Sequence, residues 1–116
     1  MIHGIGIDAV DVSRFKSAME RRGQRFLDRL FTRAELDYCL KKKAPEVCLA
    51  ARFAAKISFI KAMGRRFDFR KIEIKRDAEG RPSVVAAGLS ESFRVNVSIT
   101  HDGDISMAET VVEKTE

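Results

Sequence analysis

The hydrophobic pattern changes period along the chain. Ile2, Ile5, Ile7 and Val10, interleaved with Gly4, Gly6 and Ala9, predict a first strand. Two glycines inside it would let another backbone or a ligand come close. From Asp11 the spacing turns helical, with Asp11 or Ser13 as N-cap and Gly23 as an interruption. Thr32-Arg33-Ala34-Glu35 fits a capping box and predicts a second helix reaching about Lys41. Pro45 at a first helical position then opens the main helix, in which Ala50, Phe53, Ala54 and Ile57 recur at three- and four-residue spacings up to a C-cap at Gly64. Lys61 falls one turn beyond Ile57, so a lysine rides on or beside an apolar stripe.

The second half is strand-like. Phe67 to Arg76 predicts a strand with imperfect alternation, Asp77 to Pro82 a turn, Val84 and Val85 the returning strand, and Gly88 to Phe93 a short helix or loop. Val95, Val97 and Ile99 alternate with Asn96 and Ser98, and Asp102-Gly103 signals a hairpin into a last strand from Ile105 to Val112. The class is α+β: a mainly antiparallel sheet packed with a long central helix, within one domain of 116 residues.

Charged residues are 34% of the chain and hydrophobic ones 45%, an ordinary balance for a water-soluble fold. No apolar run is long enough to span a bilayer, and the opening Met-Ile-His-Gly-Ile-Gly-Ile-Asp lacks the regions of a signal peptide. The cytoplasm is therefore the expected compartment, with no membrane partner. Cys39 and Cys48 suggest neither a disulfide framework nor a zinc site, and free thiols are expected.

The net charge of +5 favours acidic partners without choosing among nucleic acid, membrane and protein. Nucleic acid is not expected, because the basic residues lack exposed interleaved aromatics or a reading motif. On one continuous helix Arg14, Arg21, Arg25 and Arg29 would share a face, with Phe26 on the adjoining one. Such a stripe is either a solvated face or a dock for an acidic partner. Lys41 to Lys43 either suit a helix C-terminus or meet phosphate, and Asp8 either begins a turn, caps a helix or does chemistry at a strand end.

Several stretches, in order, resemble one family. Gly4-Ile5-Gly6-Ile7-Asp8, Arg52-Phe53-Ala54-Ala55-Lys56 with Phe59, Lys61 and Gly64, and Val97-Ser98-Ile99-Thr100-His101 are similar to motifs of the holo-acyl-carrier-protein synthases of the 4′-phosphopantetheinyl transferase superfamily. Phe31 to Leu36, and Ile72 to Ile74 with Gly80-Arg81-Pro82, extend the likeness over nearly the whole chain. The resemblance implies magnesium-dependent transfer of phosphopantetheine from coenzyme A to a serine of an apo acyl carrier protein, in support of fatty acid biosynthesis, by a homotrimer with active sites between neighbours. It implies Asp8 as a metal ligand, Lys61 at the phosphate, His101 near coenzyme A, Glu35 as an acid near the active site, and Arg52 and Lys56 at phosphate or in a structural role. Arg14, Arg21 or Arg22, Arg25 and Arg29, with Phe26, match the region that docks an acidic carrier protein.

Two positions depart from the family pattern. Ile57 stands where the family places a second carboxylate metal ligand, and only Arg65, Arg66, Phe67 and Asp68 separate Gly64 from the segment corresponding to the next strand, where the family has a longer glycine-containing loop. An isoleucine cannot ligate magnesium. Two readings follow: a transferase that works with Asp8 and its cations, or a non-catalytic relative that binds coenzyme A or carrier protein.

Overall fold

A computed structural model describes residues 1–115. Strand β1 (Ile2–Asp11) leads into helices α1 (Val12–Arg22), α2 (Gln24–Leu30), α3 (Arg33–Cys39) and α4 (Pro45–Met63), and then strands β2 (Ile72–Arg76), β3 (Pro82–Ala86), β4 (Phe93–Asp102) and β5 (Ile105–Lys114) follow. A three-stranded antiparallel sheet has the order β1-β5-β4, and β2 pairs with β3 as a separate two-stranded sheet.

Helix α4 lies across one face of the larger sheet, and β1 permits this. A Cβ built on Gly4 would sit 1.9 Å from the Ala62 carbonyl oxygen, and one on Gly6 2.0 Å from that of Ser58. Any side chain there would push helix and strand apart, so both glycines are required by the close approach. Behind them Ser58 Oγ and Thr110 Oγ1 share a hydrogen bond of 2.7 Å, which satisfies both hydroxyls in the interior. One cluster, with Ala54, Ala55, Phe59, Ala62 and Met63 of α4, packs on Ile72, Ile74, Ala108 and Val112. A second joins α4 to the short helices through Val12, Phe15, Leu27, Phe31, Leu36 and Leu49. The long helix is thus buried on several sides, in keeping with its small and apolar sequence.

Several expected local signals are realised. Asp11 caps α1, Thr32 and Glu35 complete the capping box, and Gly64 closes α4 in the left-handed conformation, with φ 75°. The β4–β5 hairpin turns at Gly103, φ 57°.

The interruption expected at Gly23 is realised: it adopts φ 72° and splits the first helical stretch into α1 and α2, so the arginines do not lie along one continuous helix. Two expectations are corrected. The strand expected from Phe67 begins only at Ile72: Asp68 accepts from the Arg70 amide and caps a single 3₁₀ turn over Phe69–Lys71. Cys39 and Cys48 are not free thiols but a disulfide, because the chain folds back between the end of α3 and the first turn of α4 and brings their Cα atoms to 5.5 Å.

Candidate functional site

Helix α4 carries its charged residues on two lines. Arg52 and Lys56, four residues apart, face α3 and the 3₁₀ turn, whereas Phe53, Ile57 and Lys61 follow the line next to β1.

On the first line Lys56 is buried. Its Nζ lies 2.6 Å from Glu35 Oε1 and donates to the carbonyl oxygens of Leu30 at 2.8 Å and Phe69 at 2.9 Å. An ammonium has three N–H donors, and these contacts occupy all of them. Glu35 is equally enclosed, accepting from the Thr32 amide on Oε1 and from the Ile74 amide on Oε2. Burial pulls the Lys56 ammonium below the ordinary lysine value, and the Glu35 carboxylate opposes that shift. The pair ties α2, α3, α4, the 3₁₀ turn and β2 together. Neither Glu35, expected as an acid near the active site, nor Lys56, expected at phosphate or in a structural role, reaches solvent, because five segments converge on this point.

Arg52 is also buried, at 3% exposure, but it borders open space. Its guanidinium stacks on Tyr38 at 4.6 Å, one Nη approaches Cys48 Sγ at 3.2 Å, and its enclosed Nε has no partner among the described residues. The Tyr38 ring also carries Lys42 at 4.4 Å. Together with Arg76, Thr100 and His101 these residues line a pocket of about 480 Å³ whose wall, among the described residues, has no carboxylate. Arg52 and His101 are therefore brought together by the fold. Tyr38 and Arg76 have no sequence signal; Lys42 belongs to the basic run.

The second line borders a cleft of about 810 Å³ beside β1 and α1. Asp8, Asp11, Ser13, Arg14, Ser17 and Arg21 supply its polar wall, and Val10, Phe15, Phe53 and Ile57 its apolar wall. Asp8 points to this side because Gly4, Gly6 and Asp8 alternate on the face of β1 next to α4. At its edge Lys61 Nζ donates to the Ile7 carbonyl at 2.9 Å and meets Asp8 Oδ1 at 3.5 Å, with the lysine side chain still 53% exposed. Burial holds the Asp8 carboxyl above its ordinary value, against the pull of Lys61. Arg14 and Arg21 reach this cleft; Arg25 and Arg29, beyond the break at Gly23, do not line it. Arg22 stands over Phe26 at 5.5 Å.

The donor set can be tested against magnesium, which takes six oxygen ligands in near-octahedral geometry, commonly with one or two carboxylates. Asp8 offers one carboxylate and already faces an ammonium. Asp11 Oδ1 accepts from the Arg14 amide, and Ile57 has no ligand atom. Among the described residues no three His, Cys, Asp or Glu side chains converge. The residues present do not fit a resident magnesium ion.

The open face of the three-stranded sheet carries Ile5, Ile7 and Met107, all exposed. Their cross-strand partners Val111, Glu109 and Ala9 share that face. Among the described residues no helix is long and apolar enough to cross a membrane.

With this geometry in view, residues 4–110 match the model of the 4′-phosphopantetheinyl transferase superfamily. The chain is 42% identical to the holo-[acyl-carrier-protein] synthase of Bacillus subtilis (strain 168), over 98% of both chains. The holo-(acyl-carrier-protein) synthase from Bacillus anthracis str. Ames, solved in complex with CoA (3′,5′-ADP), superposes with a TM-score of 0.88 at 30% identity over 99% of each chain. The corresponding enzyme from Neisseria meningitidis superposes equally well, TM-score 0.88, at 35% identity over 98% of this chain and 100% of that one.

Proposed function

Since this chain belongs to the 4′-phosphopantetheinyl transferase superfamily, we propose that it moves 4′-phosphopantetheine from coenzyme A to a serine of an apo acyl carrier protein, and that the product serves fatty acid biosynthesis in the cytoplasm. The observation that carries this reading is the division of cationic groups around α4: a buried Arg52 bordering a pocket whose described lining has no acid, and a half-exposed Lys61 anchored at a strand end.

In this reading Arg52 and His101 hold phosphate of the nucleotide part of coenzyme A. A guanidinium bordering a recess suits such an anion, since charge-assisted hydrogen bonds to phosphate strengthen where water is excluded. Lys61 faces the diphosphate. The serine hydroxyl attacks the phosphorus that bears pantetheine, the bond to the bridging oxygen breaks, and adenosine 3′,5′-bisphosphate leaves. The hydroxyl proton passes toward Asp8. Fixed cations that meet charge as it develops on the phosphoryl oxygens account for much of such an acceleration. The magnesium implied by the family likeness has no fitting donor set here, so no step runs through it. Glu35 and Lys56 act on the site through the fold, holding the segments that carry Arg52.

The pocket with Arg52 and His101 and the cleft with Asp8 are separate in one copy of the chain. We assign their union to a homotrimer in which neighbours share active sites, supported by the exposed apolar sheet face of Ile5, Ile7 and Met107, which would otherwise meet water. We assign the acidic carrier protein to Arg14 and Arg21 at the cleft, extended by Arg22, Arg25, Phe26 and Arg29 along the two short helices. Arg14→Glu with Arg25→Glu is expected to weaken carrier binding about tenfold, since charge reversal at an interface rim removes steering and adds repulsion.

The deciding experiment incubates the protein with coenzyme A and an apo carrier protein and weighs the carrier by mass spectrometry. Gain of one phosphopantetheine group is expected. An unmodified carrier with coenzyme A still bound would favour the second reading, a non-catalytic relative, for which Ile57 is the specific observation.

A further inference from the structure

We propose that the Asp8 cleft holds no resident divalent metal, because Ile57 occupies its wall, and that the Lys61 ammonium stands beside Asp8 in place of such an ion. The inference rests on the transfer reading above and goes beyond it by giving to a side chain the counter-charge that a metal would supply.

Four features support it. Ile57 is half-buried in a wall it shares with Phe15 and Phe53, so this side of the cleft is apolar and supplies no oxygen. Among the described residues Asp8 has a single nearby charged partner, the Lys61 ammonium at 3.5 Å, and a divalent ion on the same carboxylate would be repelled by that ammonium. Two of the three ammonium donors are directed at Ile7 O and Asp8 Oδ1, which fixes the Lys61 head and leaves one N–H for a phosphate oxygen. Its exposure lets a substrate reach it without moving the helix. The charged groups that line the cleft are Asp8 and Asp11 against Arg14 and Arg21, which balance, and Lys61 at the edge supplies the surplus positive charge.

Manganese, read by electron paramagnetic resonance, probes the metal claim without any substrate. The ligand-free protein is expected to show no saturable binding that Asp8→Asn removes. Ile57→Glu is expected to gain a site at least about tenfold tighter than the parent, the order by which ligand-shell changes alter metal affinity, and the uncharged Ile57→Gln to gain none. Saturable, Asp8-dependent binding in the unaltered protein would overturn the proposal, as would a folded Ile57→Glu with no gain. If that variant does not fold by circular dichroism, the unaltered protein and Asp8→Asn decide the matter.

Coenzyme A affinity, measured by calorimetry in EDTA and in magnesium, tests the second half. Equal affinity within about twofold is expected in the two solutions, and Lys61→Met should weaken both about tenfold, a loss of one charge-assisted contact. Affinity that rises tenfold with magnesium, or that ignores Lys61→Met, would overturn it. Absence of coenzyme A binding in both solutions would instead defeat the transfer reading, and the manganese titration alone would then decide whether the cleft takes a metal.

Discussion

Two lysines of α4 each pair with a carboxylate of another element, in opposite surroundings. Lys56 and Glu35 are closed off from solvent at 2.6 Å, and every donor and both carboxylate oxygens are occupied by backbone or by each other. Lys61 and Asp8 meet at 3.5 Å with the lysine half exposed. Burial with full hydrogen bonding makes the first pair a fastener among five segments. Loose geometry and access suit the second to the binding role proposed for it, because an ion pair in water contributes little to stability and leaves donors free for a ligand.

The difference is broken most forcefully at Glu35. Glu35→Ala leaves a buried ammonium and the Ile74 amide without their acceptor, and it is expected to cost about 3–5 kcal/mol, read by urea denaturation. Loss of only a few tenths of a kcal/mol would mean that the pair holds nothing together. Next comes the bridge that closes the same flank. Reduction of Cys39–Cys48, or Cys48→Ser, is expected to cost about 2–4 kcal/mol, since the short loop regains freedom in the unfolded chain. The check is the denaturation midpoint with and without dithiothreitol, and equal midpoints would contradict it.

On the other flank the expected sign reverses. The folded state raises the Asp8 carboxyl above its ordinary value, so the native protein binds that proton more tightly than the unfolded chain does. The resulting stability is present in acid and is lost as pH rises through the folded value, which means that an ionised Asp8 costs stability at neutral pH. Asp8→Asn is therefore expected to be no less stable than the parent at pH 7, with any advantage over the parent disappearing as pH falls through the ordinary carboxylate range, where Asp8 is itself neutral. A clear destabilisation at neutral pH would show that Asp8 belongs with Glu35 as a structural group.

Much of this division is hidden in the sequence. The capping box, the Pro45 start and Gly64 end of α4 and the β4–β5 hairpin depend on residues within a few positions of one another, and the amino-acid order displays them. The glycines of β1 are visible as glycines, but the backbone they admit, at Ser58 and Ala62, is distant in the chain. Arg52, Lys56 and Lys61 fall in one basic-apolar segment, and nothing local says that Lys56 points inward. Its burial depends on Leu30 and Phe69, carbonyls 26 and 13 residues away, delivered by the break at Gly23 and the turn capped by Asp68. The cysteine pair is illegible for the same reason: a nine-residue separation does not reveal that α3 and α4 fold back on each other. Ile57 reads as an ordinary core residue by periodicity. It becomes informative only through the family likeness, and its place in the cleft wall opposite the polar groups of β1 and α1 gives that departure a physical meaning.

Lys61 is where the separation of the two pairs is most directly measured. Single-turnover transfer from coenzyme A to an apo carrier, followed by carrier mass, should fall by about 100-fold in Lys61→Ala, the loss expected when one fixed donor to developing charge is removed. The variant's denaturation midpoint should stay close to that of the parent, because an exposed pair is worth about 1 kcal/mol or less. Transfer at the parental rate by a folded Lys61→Ala protein would contradict the assignment of chemistry to this flank of the helix.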